Sequence, residues 1–157
     1  KIKFNILDKE VLILGAGGVV SSIIYALQKM KISKITISNR TRDKAEKLKD
    51  LFKNLKVVGW GDVPEVDMII NATSLGLNKN DKINLDFSKV EQNKFFYDVI
   101  YNPSETNFLK IGKKLGNRIE NGKLMFIYQA LVAFRIWHKI NPKIDDNIIK
   151  LFNKWLK

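Results

Sequence analysis

The sequence predicts a doubly wound α/β fold: a mainly parallel sheet with helices on both faces and further helices at the C-terminal end. Three observations carry this. Short apolar runs of strand length alternate with stretches of helical spacing, the first run ends in Gly15-Ala16-Gly17-Gly18, and beyond Pro103 the chain turns helical. Strands that alternate with helices are joined by crossovers, which make neighbouring strands parallel and bury both faces of the sheet.

The elements follow in order. Glu10 to Leu14 is a buried-type strand, and Val19 to Met30 has apolar residues at Ile23, Ile24, Leu27 and Met30, the spacing of one helix face. Lys34 to Ser38 is β-branched and alternating, and Arg42 to Leu55 places Ala45, Leu48, Leu51 and Phe52 on one helical side. Leu55 to Val58, Val66 to Asn71 and Phe95 to Tyr101 are short apolar runs bounded by Gly, Pro, Asn or Asp, and predict the third, fourth and fifth strands. A polar loop is expected at Asn78 to Asn84. Helices are expected over Ser104 to Leu115, Gly122 to Ile140 and, after Asn141-Pro142, Asp145 to Leu156.

At 157 residues, 45% of them hydrophobic, the chain can build one core, so a single domain over 1–157 is expected. No window approaches the roughly 18 consecutive apolar residues of a membrane span. The apolar run Leu124 to Phe134 is short and interrupted by Gln129. No signal peptide is expected, since the N-terminal stretch lacks a small-residue cleavage site. Without cysteine, and with His138 as the single histidine, disulfides and Cys/His metal sites are not expected, and a reducing cytoplasm fits. The net charge of +12 would suit a polyanion. The lysines are nevertheless spread along the chain, at Lys29, Lys49, Lys94, Lys113 and Lys143, so a solvated basic surface and no nucleic-acid partner are expected. Because the first residue is Lys1, we expect a piece of something longer.

The glycine run and the end of the second strand carry the chemistry. Gly15-Ala16-Gly17-Gly18 provides a tight turn, a close backbone approach for a pyrophosphate and the unpaired N–H groups of the helix that follows. A glycine-rich turn can also merely link a strand to a helix, and Val20 replaces the small third residue of the fingerprint. The placement after a strand, opening a helix at the start of a βαβ unit, favours a Rossmann-type dinucleotide site. An NAD-preferring site has a carboxylate at the end of the second strand, whereas a 2′-phosphate needs cations there. This chain has Asn39-Arg40-Thr41 and then Lys44. Arg40 can clamp the phosphate or stack on adenine, Lys44 adds a point charge, and Asn39 and Thr41 can donate hydrogen bonds, so NADP is the expected cofactor. The competing account is a solvated turn capping the next helix through Thr41. Thr73 and Ser74 leave the fourth strand at its carboxyl end, where ligands of open α/β sheets sit, although an ordinary strand-end turn would look the same. Gln129 lies in an apolar helical run, where a buried amide needs a partner: a substrate hydroxyl or another core group.

Taken together, the motifs resemble a known family. They are Gly15-Ala16-Gly17-Gly18, Asn39-Arg40-Thr41-x-x-Lys44, Asn71-Ala72-Thr73-Ser74-x-Gly76, Asp98-x-x-Tyr101-x-Pro103-x-x-Thr106, Asn121-Gly122, Gln129-Ala130 and Phe134-x-x-Trp137. In this order they resemble the C-terminal, NADP-binding domain of the shikimate dehydrogenase family, which reversibly reduces 3-dehydroshikimate to shikimate in aromatic biosynthesis. The resemblance implies that Thr73 and Ser74 line the cofactor path, that Val99, Tyr101 and Gly122 flank the nicotinamide, and that Tyr101 and Gln129 reach the substrate. It also implies an N-terminal substrate domain supplying a catalytic Lys–Asp pair. Its motifs, resembling N-V-T-x-P-x-K and N-T-D, do not occur in this chain. No catalytic residue is therefore expected here, and Tyr101, a phenol with no evident lysine partner, is a poor proton donor. By the same resemblance the segment after Pro142 would pack toward that domain, leaving Ile148, Ile149, Phe152 and Trp155 under-covered and prone to self-association. The alternative is a non-catalytic nucleotide-binding or regulatory module that has lost the chemistry.

Overall fold

The computed structural model describes residues 4–78 and 80–155, except for the side chains of Asn153 and Trp155. It divides into two compact units, Lys1–Gly122 and Lys123–Lys157.

In the first unit the elements are β1 (Glu10–Leu14), α1 (Gly18–Lys29), β2 (Lys34–Ser38), α2 (Arg42–Leu51), β3 (Leu55–Val58), β4 (Met68–Asn71), β5 (Phe95–Asp98), α3 (Asn107–Lys114) and β6 (Arg118–Glu120). All pairings are parallel, in the order β3-β2-β1-β4-β5-β6. This is the order of dinucleotide-binding sheets, and it reverses direction between β1 and β4. Alternation along β1 sorts the core. Val11 and Ile13 face a layer with Val20, Ile24 and Leu27 of α1 and Ala45 and Leu48 of α2. Leu12 and Leu14 face the opposite layer, with Phe96, Phe108 and Leu109. On that second face α3 covers only part of the sheet. The rest is covered by the helix-free crossovers β3–β4 and β4–β5, through Val66, Ile83 and Phe87. Phe87 packs edge-on against Phe96 and Phe108, with ring centroids 5.7 and 5.9 Å away.

Several expected boundaries move, each for a local reason. The second helix ends at Leu51 rather than Leu55, because Phe52 is extended (φ −124, ψ 127) and Asn54 takes φ +64 to turn into β3. The fourth strand begins at Met68 rather than Val66. The fifth stops at Asp98, whose side chain accepts from the Ile100 amide (3.0 Å) as the chain leaves the sheet. The helix expected from Ser104 begins at Asn107, because Thr106 caps it by accepting from the Leu109 amide. The Asn78–Asn84 loop is not wholly polar, since Ile83 is buried in the core. β6 was not expected.

The second unit holds α4 (Lys123–His138) and α5 (Asp146–Trp155); the expected end at Leu156 lies outside the described residues. Phe126 of α4 stacks on Phe152 of α5 at 5.3 Å. Among the described residues no helix is long and apolar enough to cross a membrane.

Candidate functional site

The site lies at the carboxyl ends of β1 and β4, where the sheet order reverses and a crevice must open. Gly15 leaves β1 with φ +110, and a Cβ there would stand 2.8 Å from the Ala72 carbonyl oxygen and 3.2 Å from the Thr73 methyl. Its role is thus to let the two strand ends close up. Gly17 and Gly18 are exposed, with nothing within 4 Å of where a Cβ would be. They leave a clear approach to the N-terminus of α1, which has neither a capping side chain nor an acidic residue in its first turn. The Val20 amide donates back to the Gly17 carbonyl (3.0 Å), while the preceding N–H groups and the positive end of the dipole face the open side of the turn, where an anion can approach.

A groove of about 300 Å³ runs from this turn across the ends of β2 and β4. It gathers Gly15, Ala16, Gly17, Asn39, Arg40, Thr41, Lys44, Thr73 and Ser74, all expected from the sequence, and adds Trp60, Ala72 and Leu75. No acidic residue lines it. Among the described residues Arg40 and Lys44 make no ion pair, while nearby Arg42 and Lys49 both engage Glu46, at 3.1 and 3.8 Å. The groove therefore presents two cations without counter-ions. The Asn39 amide donates to the Thr41 carbonyl (2.7 Å), bracing the turn that carries Arg40. Thr41 stands at the N-cap position of α2 but makes no side-chain cap bond, so capping does not explain it.

Thr73 has a different role from a free hydroxyl. Its Oγ1 donates to Asn71 Oδ1 (2.7 Å) and accepts from the Leu75 amide (3.1 Å), so the hydroxyl shapes the turn from within. Ser74 is exposed at the rim. The buried Asn71 amide donates both to the Leu75 carbonyl (3.1 Å) and to Asp98 Oδ1 (3.0 Å), which joins the loop after β4 to the loop after β5. Burial pushes the Asp98 carboxyl above its usual range, partly offset by donors from Thr106, Ile100 and Asn71.

Val99, Tyr101 and Gly122 lie outside the groove lining. Val99 and Gly122 are in contact: the Gly122 amide donates to the Ile100 carbonyl (3.1 Å), and a Cβ on Gly122 would collide with the Val99 carbonyl. Tyr101, partly buried, follows Val99 by two residues. Gly18 also lies outside the lining, at the first position of α1. Gln129 belongs to the second unit and is exposed, which corrects the expectation of a buried amide. It needs no core partner.

The family model for shikimate / quinate 5-dehydrogenase matches residues 1–106. The chain belongs to that family. It is 56% identical over 153 residues to the shikimate dehydrogenase (NADP(+)) of Pelagibacter ubique, covering 98% of this chain and 58% of that protein. A crystal structure of a shikimate dehydrogenase in complex with NADP+ is 36% identical, with a TM-score of 0.78 over 87% of this chain and 51% of that one. Quinate dehydrogenase from Corynebacterium glutamicum in complex with NAD is 28% identical, with a TM-score of 0.80 over 88% of this chain and 53% of that one. The chain thus spans little more than half the length of these shikimate/quinate 5-dehydrogenase relatives.

Of the residues not expected from sequence, Trp60 is the most substantial. Its signal was present: Gly59-Trp60-Gly61 directly follows a strand whose carboxyl end lies at the edge of the crevice.

Proposed function

We propose that this chain is the NADP(H)-binding half of a shikimate dehydrogenase, which reversibly reduces 3-dehydroshikimate to shikimate together with a substrate domain that supplies the proton chemistry. The observation that carries the reading is the pair of cations without counter-ions, Arg40 and Lys44, in a groove without carboxylates at the end of β2. A dinucleotide fits the donor set. The bare N-terminus of α1 and the open Gly17 face suit a pyrophosphate, and Arg40, Lys44 and Thr41 suit a 2′-phosphate. When bound, NADPH would supply the hydride. Val99 and Gly122, held together at the end of β5, would flank the nicotinamide, and Tyr101 and Gln129 would contact the substrate. A proton donor to the developing alkoxide is not among the residues assigned here, so the isolated chain should not turn over. The absence of cysteine suits work in a reducing cytoplasm. The apolar residues exposed on the second unit should make the isolated chain self-associate.

Two measurements test this reading. Calorimetric titration with millimolar NADPH should show binding, in the micromolar range or looser because part of the crevice wall would come from the substrate domain. A flat titration of a folded chain would end the reading. Incubation with saturating shikimate and NADP should give no absorbance change at the NADPH wavelength. Turnover of even a few per second would show that the proton chemistry does not lie elsewhere.

A further inference from the structure

We propose that Trp60 is the platform on which the adenine of the dinucleotide stacks, opposite Arg40. This rests on the reading above and assigns a role to a residue outside the glycine and cation motifs. Trp60 lines the same groove as Asn39, Arg40 and Thr41, on the turn that leaves β3. It is half-buried. Part of its ring packs against the second-face core, while the remainder borders the groove. Among the described residues it takes part in no aromatic pair, whereas Phe87, Phe96 and Phe108 pack against one another.

The turn beneath it is held rigidly. Asp62 Oδ2 accepts from the Gly59 amide (2.9 Å), the Asp62 amide donates to the Gly59 carbonyl (3.2 Å), and Gly61 adopts φ +113. The hydroxyl of fully buried Ser38, at the end of β2, donates to the same Gly59 carbonyl (2.8 Å). The backbone at Trp60 is thereby tied to the strand that delivers Asn39 and Arg40, and the packing of the ring against the second-face core limits the side-chain freedom to be lost on binding. An indole face and a guanidinium are the two groups that stack well on a purine, one through dispersion and the other through cation–π attraction. Arg40, Lys44 and Trp60 line one groove, so a 2′-phosphate held by the two cations would bring the base on the same ribose to the indole face.

The test uses NADPH and adenosine 2′,5′-bisphosphate, which retains adenine, ribose and the 2′-phosphate but lacks nicotinamide. Trp60→Ala should weaken both ligands by about tenfold, the order expected for losing one base–aromatic stack. Trp60→Phe, which keeps an aromatic face, should bind both within about threefold of the parent. Adenosine 2′,5′-bisphosphate should quench the tryptophan emission of the parent, and the quench should vanish in Trp60→Phe although Trp137 and Trp155 still emit. Urea midpoints of both variants separate loss of fold from loss of stacking. If the parent binds NADPH while a folded Trp60→Ala binds it equally well, or if the quench survives in Trp60→Phe, the platform is refuted and the cofactor reading stands. If a folded parent binds neither ligand, both fall together.

Discussion

The helices α1 and α4 are both rich in apolar residues, yet they stand in opposite situations. α1 buries Val20, Ile24 and Leu27 against the sheet and leaves Ser22, Gln28 and Lys29 outward together with Val19 and Tyr25, so one face of the helix is committed to the core of the first unit. α4 is apolar on all sides: Tyr128, Val132, Phe134, Ile136 and Trp137 are exposed, Trp137 by 76%. A helix with segregated faces needs one neighbour, whereas a helix apolar all round needs several. The first unit therefore has a core of its own. The C-terminal unit instead leaves large apolar side chains of α4 and α5 exposed, Leu151 by 67% among them.

The largest expected effect tests whether the first unit is closed in the way described. Gly15→Ala forces a side chain into φ +110 and against the Ala72 carbonyl, and should lower unfolding stability by about 2–3 kcal/mol, read as a fall in the urea midpoint. Gly17→Ala meets nothing and should leave stability within about 0.5 kcal/mol while weakening NADPH binding. Equal stability losses in the two variants would show that the glycines do not divide the work in this way.

Next in size is cofactor choice. Two charge-assisted contacts of roughly 1.5–3 kcal/mol each, less where exposed, should give on the order of a hundredfold preference for NADPH over NADH at low salt. Arg40→Asp should abolish or reverse it, and Lys44→Ala should reduce it by about tenfold. A parent that binds both cofactors equally would remove the role given to the Asn39–Lys44 segment.

The second unit is probed by Trp137→Lys with Leu151→Lys. The parent should associate in sedimentation experiments, and the double variant about tenfold more weakly or worse, with NADPH affinity unchanged. A parent that stays monomeric at every concentration would mean that the exposed apolar face does not drive association.

The smallest effect concerns pH. Because burial raises Asp98 above the ordinary value of 3.8, its contribution to stability is whole below that value and is lost as the pH rises through the raised one. Asp98→Asn, which mimics the neutral form, should flatten the fall in urea midpoint from about pH 4 upward. An unchanged slope would assign that fall to other groups.

What was legible in the sequence follows from which forces act locally. β1, β2 and β3 match the expected bounds to the residue because each is a short run of apolar or β-branched residues that ends where the chain turns, continuous in β1 and interrupted by polar residues in β2 and β3. The groove residues of the glycine and Asn-Arg-Thr motifs were legible because phosphate imposes both residue type and spacing. β6 was missed because Arg118-Ile119-Glu120 is too short to show a period and exists through its pairing with β5. Ile83 and Phe87 were hidden because a crossover without a helix has no periodicity to reveal them. Gln129 was misread for an instructive reason: apolar neighbours normally mean burial, but here Tyr128 and Val132 are exposed beside it.

The crossover between β4 and β5 also has a bearing on motion. The described backbone hydrogen bonds within it are isolated turn contacts, such as Leu77 to Ser74, Asp81 to Asn78 and Val90 to Phe87, rather than a ladder. Amides in this stretch should exchange with deuterium well before those of β1 or α1, although the segment covers a sheet face. The two faces of one sheet should thus differ in local opening, the α1 side staying protected longest and the crossover side exchanging first.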